Sequence, residues 1–157
     1  MKLLFDRYCE PDPGAAFRPV GDTDSERAFC WLMQEIAKSH ADVPSVAELT
    51  LTLRELVPRI ARHGTFNFLL SNGQALWAHA STNLYYVVRQ HPFATATLSD
   101  EDVSVNFAEQ AGQGDRVAVV VTAPLTTNEV WTALPPGEVV VFVDGARARE
   151  KSNIDSR

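Results

Sequence analysis

The feature that most restricts the fold is one change of hydrophobic periodicity near residue 65. Before it, two segments carry apolar residues at helical spacing. After it, apolar and polar residues alternate as they do in strands. Because helices and strands occupy separate parts of the chain, the order predicts an α+β fold. Two helices should cover one face of a mainly antiparallel sheet, and something else must cover the other face.

Each predicted helix begins at a capping box, a Ser or Thr followed three residues later by Glu. The first box is Thr23 with Glu26, and the second is Ser45 with Glu48. Apolar stripes follow at helical spacing: Ala28, Trp31, Leu32 and Ile36 in the first helix, and Leu49, Leu53, Leu56 and Ile60 in the second. Pro58 lacks a backbone donor, so it predicts a kink or an early end of the second helix.

Seven strands are predicted from alternation or from short apolar runs, at residues 65–70, 75–80, 84–89, 94–98, 103–107, 117–121 and 139–143. Asn72-Gly73, between the first two, predicts a type I′ hairpin turn. The run at 117–121 is continuously apolar, which predicts a strand buried on both faces.

Composition narrows the class of protein. The 157 residues suffice for one domain, and their net charge of −6 without a basic run argues against nucleic-acid binding. No apolar stretch approaches the roughly 20 residues of a membrane helix. The amino terminus has no apolar core typical of a secretory signal, and Cys9 and Cys30 lack metal-site or disulfide spacing. A cytoplasmic protein without metal or cofactor is therefore expected.

General motifs for phosphate binding, serine nucleophiles and zinc are absent from the sequence. His79 lies in a predicted strand and Cys30 in the first helix, so we interpret them as a core or surface histidine and a buried structural thiol. Asp24 stands at a helix start. It either complements the helix dipole or has a functional role, and its position alone leaves both open.

Four ordered segments carry a resemblance to a known family. They are residues 17–26 with 28–32, residues 66–73, residues 81–84, and residues 124–131 with 136–138. Together they resemble the class II glutamine amidotransferases, especially the small YafJ-type members. The resemblance covers about residues 17–145 and implies that they are the C-terminal part of an amidotransferase domain. The composition of the flanking residues predicts an irregular lead at 1–16 and a polar, frayed tail at 146–157.

The resemblance implies an N-terminal-nucleophile hydrolase fold, in which two sheets lie between helical layers in the order αββα. The family releases ammonia from the side-chain amide of glutamine. Asp24 matches the aspartate that binds the α-ammonium of that substrate, whereas the N-terminal cysteine, the His-Asn-Gly segment and the carboxylate-binding arginine have no match in this sequence. The chain is thus predicted to hold no catalytic residue and to be inactive alone, with glutamine as substrate once a front half completes it. Trp31 and Trp131 are expected to be structural anchors.

Two alternatives stay open. The chain could be a non-catalytic interaction module that pairs through an exposed sheet face, with a second copy or with another protein. Alternatively, translation could start upstream of the Met1 codon, so that the front half is encoded before it. The acceptor of the ammonia is not identified by any feature of the sequence.

Overall fold

The computed structural model describes residues 16–99, 104–106 and 112–148. In these residues two helices precede a series of strands, which confirms the predicted α+β order. The helices are α1 (Asp24–Ser39) and α2 (Val46–Ala61). The strands are β1 (Phe68–Ser71), β2 (Leu76–His79), β3 (Tyr85–Gln90), β4 (Thr95–Thr97), β5 (Ser104–Asn106), β6 (Arg116–Val121), β7 (Thr132–Ala133), β8 (Val139–Val143) and β9 (Ala146–Arg147).

The described strands do not form the single sheet that periodicity alone predicted, whereas the resemblance implied two sheets. They divide into a four-stranded sheet in the order β1-β2-β8-β9, a three-stranded sheet in the order β6-β3-β7, and the hairpin β4-β5. Every pairing among them is antiparallel. The division explains how several strands can be apolar on both sides, since one sheet lies between the helices and the other sheet.

Strand β8 shows this layering most clearly. Val139 and Val141 belong to the core beneath the helices, with the fully buried Trp77. The alternate residues, Val140 and Phe142, belong to a second core shared with the three-stranded sheet. Successive side chains of a strand point to opposite faces, so β8 separates two apolar layers. The described part of the chain is therefore built as helices, sheet and second sheet.

The predicted early end of the second helix at Pro58 is wrong, because α2 continues to Ala61. Pro58 is exposed, while Val57 and Ile60 beside it are buried. A proline here withholds one backbone donor. The burial of its two neighbours holds the last turn in place.

The predicted type I′ turn at Asn72-Gly73 is also wrong. Ser71 pairs with Leu76, so four residues separate β1 from β2. Gly73 has φ 84°, but Asn72 does not share the positive φ that a type I′ turn needs at both central residues. Instead its side-chain Oδ1 accepts hydrogen bonds from the backbone N–H groups of Gln74 and Ala75, both at 3.0 Å.

The prediction that strand 117–121 is buried on both faces is wrong as well. It forms β6 at the edge of the three-stranded sheet, and Val117 is 48% exposed. Ala118 and Val120 face the inter-sheet core, so Val117 and its alternate neighbours point the other way. An apolar run therefore marked an edge strand whose outer face is only partly covered.

Residues 146–148 do not belong to the frayed tail that the sequence predicted, because they are ordered by pairing with β8. Ala146 and Arg147 form β9 against β8, and the N–H of Ala148 donates to the carbonyl of Val141 at 2.8 Å. The turn before β9 depends on Gly145, because a Cβ there would lie 2.0 Å from the carbonyl oxygen of Arg116. Residues 149–157, like residues 1–15 with Cys9, lie outside the described part of the chain.

Candidate functional site

Asp24 is the first residue of α1 and is half-buried. The preceding Thr23 caps the helix, with its Oγ1 accepting from the N–H of Glu26 at 3.2 Å. Among residues 16–99, 104–106 and 112–148, no hydrogen bond or ion pair reaches the Asp24 carboxylate. The helix dipole makes this end of the helix a favourable place for a negative charge. The carboxylate is thus available to a cationic ligand group.

Glu26 differs from the predicted capping-box geometry. In a capping box its carboxylate would accept from the N–H of Thr23. Instead it reaches further back, where Oε1 accepts from the N–H of Val20 at 2.6 Å and Oε2 accepts from the N–H of Gly21 at 2.9 Å. We call these two bonds the Glu26 clasp. Gly21 fits it closely, since a Cβ at Gly21 would lie 2.8 Å from Oε2.

A second contact ties the segment before α1 to the helix. The side-chain amide of Gln34 donates to the carbonyl of Phe17 at 2.6 Å. Arg27 and Asp22 are 3.8 Å apart, but the Asp22 side chain is 94% exposed, and such ion pairs contribute little. The conformation of the segment that leads to Asp24 is therefore set mainly by hydrogen bonds to backbone groups.

Cys30 lies one turn beyond the clasp and is half-buried, less than the buried thiol we predicted. Burial raises the pKa of the Cys30 thiol, and the negative charge of Glu26 raises it further. Because the thiolate is the nucleophilic form, Cys30 is protonated and unreactive at neutral pH. Its position on α1 also leaves it without a free α-amine.

His79 is a core histidine with hydrogen-bond partners at both ring nitrogens, and of the two interpretations, core or surface, the first is confirmed. It is 2% exposed; its Nδ1 lies 3.0 Å from the carbonyl oxygen of Glu138 and its Nε2 lies 3.3 Å from Oγ of Ser81. Burial lowers the pKa of His79, and the hydrogen bond to the Glu138 carbonyl opposes that shift. The imidazole is neutral and has a structural role.

Two of the resembling segments meet through Asn67. Its Oδ1 accepts from the N–H groups of Ser81 and Thr82 at 2.7 and 3.0 Å, and its Nδ2 donates to Oγ1 of Thr82 at 2.9 Å. Segments 66–73 and 81–84 are thus joined by one amide side chain that ties the start of β1 to the loop before β3.

The fourth segment holds a polar cluster that the sequence did not reveal. The guanidinium of Arg89 donates twice to Glu129, both times at 2.7 Å, and both side chains are largely buried. Oγ1 of Thr126 donates to Glu129 at 2.6 Å and accepts from Nε1 of Trp131 at 3.0 Å. The Arg89 hydrogen bonds and that of Thr126 hold the pKa of Glu129 below its usual range. Glu129 stands 40 residues from Arg89, so only the fold brings them together.

The tryptophans differ in what they contact. Trp31 is half-buried beneath the guanidinium of Arg59, which lies 4.8 Å from its ring centroid. Trp131 is half-buried and bound to Thr126. Both contacts agree with structural roles. The fully buried Trp77, whose Nε1 donates to Oγ1 of Thr50 at 2.8 Å, was not predicted as an anchor.

Other features of the described residues do not define a further site. Within them there is no group of three or more His, Cys, Asp or Glu side chains placed to hold a metal ion. None of their helices is both long enough and apolar enough to cross a membrane. A cavity of about 420 Å³ is lined by Arg54 of α2, by Val139 and Arg147 of the first sheet, and by the turn residues Gly137 and Glu138, and does not include Asp24.

The fold and the four segments together define the class of protein. The sequence profile of the family described as glutamine amidotransferases class-II matches residues 4–156. The chain belongs to the class II glutamine amidotransferase family.

Its relatives include a candidate glutamine amidotransferase named YafJ from Escherichia coli (strain K12), which is 42% identical over 132 residues, 83% of this chain and 52% of the relative. A second, from Haemophilus influenzae, is 41% identical over 133 residues, 85% of this chain and 45% of the relative. The crystal structure of a predicted glutamine amidotransferase from Pseudomonas aeruginosa PA01 superimposes with a TM-score of 0.70 at 33% identity, over 85% of this chain and 53% of that one. The chain spans about half the length of the relatives it matches.

Proposed function

We propose that this chain carries the part of a YafJ-type class II glutamine amidotransferase that binds the α-ammonium group of glutamine, with Asp24 as the binding carboxylate. The observation that carries the proposal is the half-buried Asp24 carboxylate, which no described residue pairs. An ammonium leaving water needs an anionic, hydrogen-bonding partner. The helix start supplies one in the segment that resembles the family's substrate site.

The proposal includes a partial αββα architecture. Helices, first sheet and second sheet would be three of its four layers, and the outer face of β6, where Val117 is 48% exposed, would receive more of the domain. The matched relatives have about as many residues again outside the matched half. We place the cysteine nucleophile and the oxyanion donors in that other half.

In the completed domain the thiol of the front half would attack the amide carbon of glutamine, and its proton would pass through the α-amine of the same cysteine to the amide nitrogen. The C–N bond would then break to release ammonia, and water would cleave the thioester to give glutamate and the free thiol. Asp24 takes no part in these proton transfers. It would hold the α-ammonium, so that the side-chain amide lies in a fixed position relative to the nucleophile.

Ammonia release from L-glutamine tests the proposal, measured on this chain alone and mixed with the front half of the Pseudomonas aeruginosa relative. The chain alone should release none, and the mixture should be active. In the active mixture Asp24→Asn should raise KM roughly tenfold or more, the loss of one charge-assisted hydrogen bond. Asp42→Asn, at an exposed aspartate between the helices, is the matched control.

Two results would count against the proposal. Ammonia release by the lone chain would show that it contains its own nucleophile. An unchanged KM in Asp24→Asn, together with a loss of thermal stability, would leave Asp24 as a helix-dipole residue only.

A non-catalytic interaction module is the second candidate, favoured by the partly uncovered edge strand β6 with Val117 exposed and by Leu125, 47% exposed. On this hypothesis the purified chain should form dimers or larger species, and Val117→Asp should shift them toward monomer. Val43→Asp, at a residue 93% exposed in the connector between the helices, should not. A monodisperse monomer at high concentration by light scattering would reject this candidate.

A further inference from the structure

We infer that Glu26 is a positioning residue for the Asp24 carboxylate: its clasp on the backbone N–H groups of Val20 and Gly21 sets the chain that enters α1 and thereby aims Asp24 at a bound ammonium. This inference rests on the proposed function of Asp24. It concerns a different residue, one that would not touch the substrate.

Side-chain packing does not hold this segment in place. The side chain of Val20 is 98% exposed and that of Asp22 is 94% exposed. The backbone between them is nevertheless bound at two successive amides, at 2.6 and 2.9 Å, by one carboxylate. Hydrogen bonds to an ionised acceptor are among the stronger ones, so the clasp is the main restraint on these residues.

The second helix shows that capping alone does not require this reach. At α2, Glu48 accepts from the N–H of Ser45 at 2.9 Å and closes an ordinary capping box. Glu26 has the same place in α1 but spans five and six residues back to Gly21 and Val20. The longer reach orders a loop that a helix cap would leave free, and Asp24 stands at the end of that loop.

A substitution at Gly21 provides a second, independent way to disturb the clasp. A Cβ at Gly21 would lie 2.8 Å from the Oε2 of Glu26. Because this oxygen is at the far end of a flexible side chain, Gly21→Ala should displace the carboxylate without a large change in the core. Glu26→Gln opens the clasp from the other side, since an amide has only one acceptor oxygen for the two donors.

The test uses the ¹⁵N-labelled chain mixed with the front half of the Pseudomonas aeruginosa relative, as in the test of the proposed function. Amide hydrogen exchange at Val20 and Gly21 reports whether the clasp is closed. The KM for L-glutamine, compared with the KM for the analogue lacking only the α-ammonium group, gives the preference that depends on the ammonium. The variants are Glu26→Gln, Gly21→Ala and Asp24→Asn, with Glu48→Gln as the matched control at the other capping glutamate.

We expect Glu26→Gln and Gly21→Ala to speed exchange at Val20 and Gly21. They should lower the preference for L-glutamine over the analogue by roughly threefold or more, because a loosened group binds less well. Glu48→Gln should leave that preference unchanged. A merely structural effect would weaken both ligands equally, so the ratio separates positioning from stability.

Three results would overturn the inference. Unchanged exchange in Glu26→Gln would show that the clasp does not restrain the loop. A wild-type preference in Glu26→Gln and Gly21→Ala, with the preference lost in Asp24→Asn, would reject positioning while the role of Asp24 stands. No preference for L-glutamine in the mixture containing the wild-type chain, or its persistence in Asp24→Asn, would reject the role of Asp24 and the positioning role with it.

Discussion

At the scale of single residues, the ion pair of Arg89 with Glu129 should contribute measurably to stability. Both side chains are largely buried, and Glu129 also accepts from Thr126. Glu129→Gln removes the negative charge that faces the Arg89 guanidinium and should lower the free energy of unfolding by about 2–3 kcal/mol near neutral pH. Urea unfolding measures it, with Glu55→Gln on the exposed side of α2 as control.

The pH dependence of that difference has a defined sign. The pKa of Glu129 is lowered from 4.5 by Arg89 and Thr126 in the folded state, so its contribution is complete above that value. The contribution is lost as pH falls through the lower folded pKa. The gap between wild type and Glu129→Gln should therefore shrink below about pH 4.5. A gap that widened with acid would contradict the ion-pair explanation.

His79 should give a separate dependence at higher pH. Burial lowers its pKa from 6.5, so below that value the unfolded chain binds a proton that the folded chain does not. The free energy of unfolding should then fall when pH is lowered from about 7.5 to about 5.5. His79→Asn should remove much of this pH dependence, whether or not the substitution itself changes the stability. His91→Asn, at an exposed histidine, should retain the wild-type slope.

At the scale of elements, α2 and β2 are joined by one hydrogen bond in the core. Nε1 of the fully buried Trp77 donates to Oγ1 of Thr50, which itself donates to the carbonyl of Val46 at 2.6 Å. Thr50→Val keeps the shape but leaves the indole N–H unpaired, which should cost about 1–3 kcal/mol in the free energy of unfolding.

Thr50→Ser is the matched control for that bond. It retains the hydroxyl and should cost less than about 1 kcal/mol. Equal losses in the two variants would assign the effect to the missing methyl group rather than to the hydrogen bond.

Elements were predicted well where a local signal sets them. The starts of both helices follow from Thr23 and Ser45, whose hydroxyls cap N–H groups three residues on. Local signals failed where distant residues decide. The apolar run of β6 is at a sheet edge because β3 pairs it on one side only, whereas β8, inside the four-stranded sheet, is buried on both faces.

At the scale of the whole molecule, the apolar core between the four-stranded and three-stranded sheets holds the two sheets together. Phe142 is 3% exposed between them, and its ring packs edge-on against Tyr86 at 5.2 Å. Phe142→Ala should lower the free energy of unfolding by about 3–5 kcal/mol, through lost burial and a cavity. Phe29→Ala, at a ring 39% exposed on α1, should cost about 1 kcal/mol or less.

The expected loss at Phe142 should also be cooperative across both sheets. Hydrogen exchange in Phe142→Ala should accelerate in β2 and in β3 together, because each contributes side chains to the inter-sheet core. Acceleration confined to one sheet would show that the layers unfold independently.

The sequence by itself determined the order of helices and strands, their approximate limits, the helix caps and the family, because periodicity, capping and segment resemblance are written in neighbouring residues. Asp24 as a candidate also came from the sequence. Only the tertiary structure decided which strands join each sheet, that Arg89 meets Glu129, and that Glu26 reaches past its own cap to Val20 and Gly21. These arrangements depend on groups that only folding brings together, so no periodic pattern in the sequence predicts them.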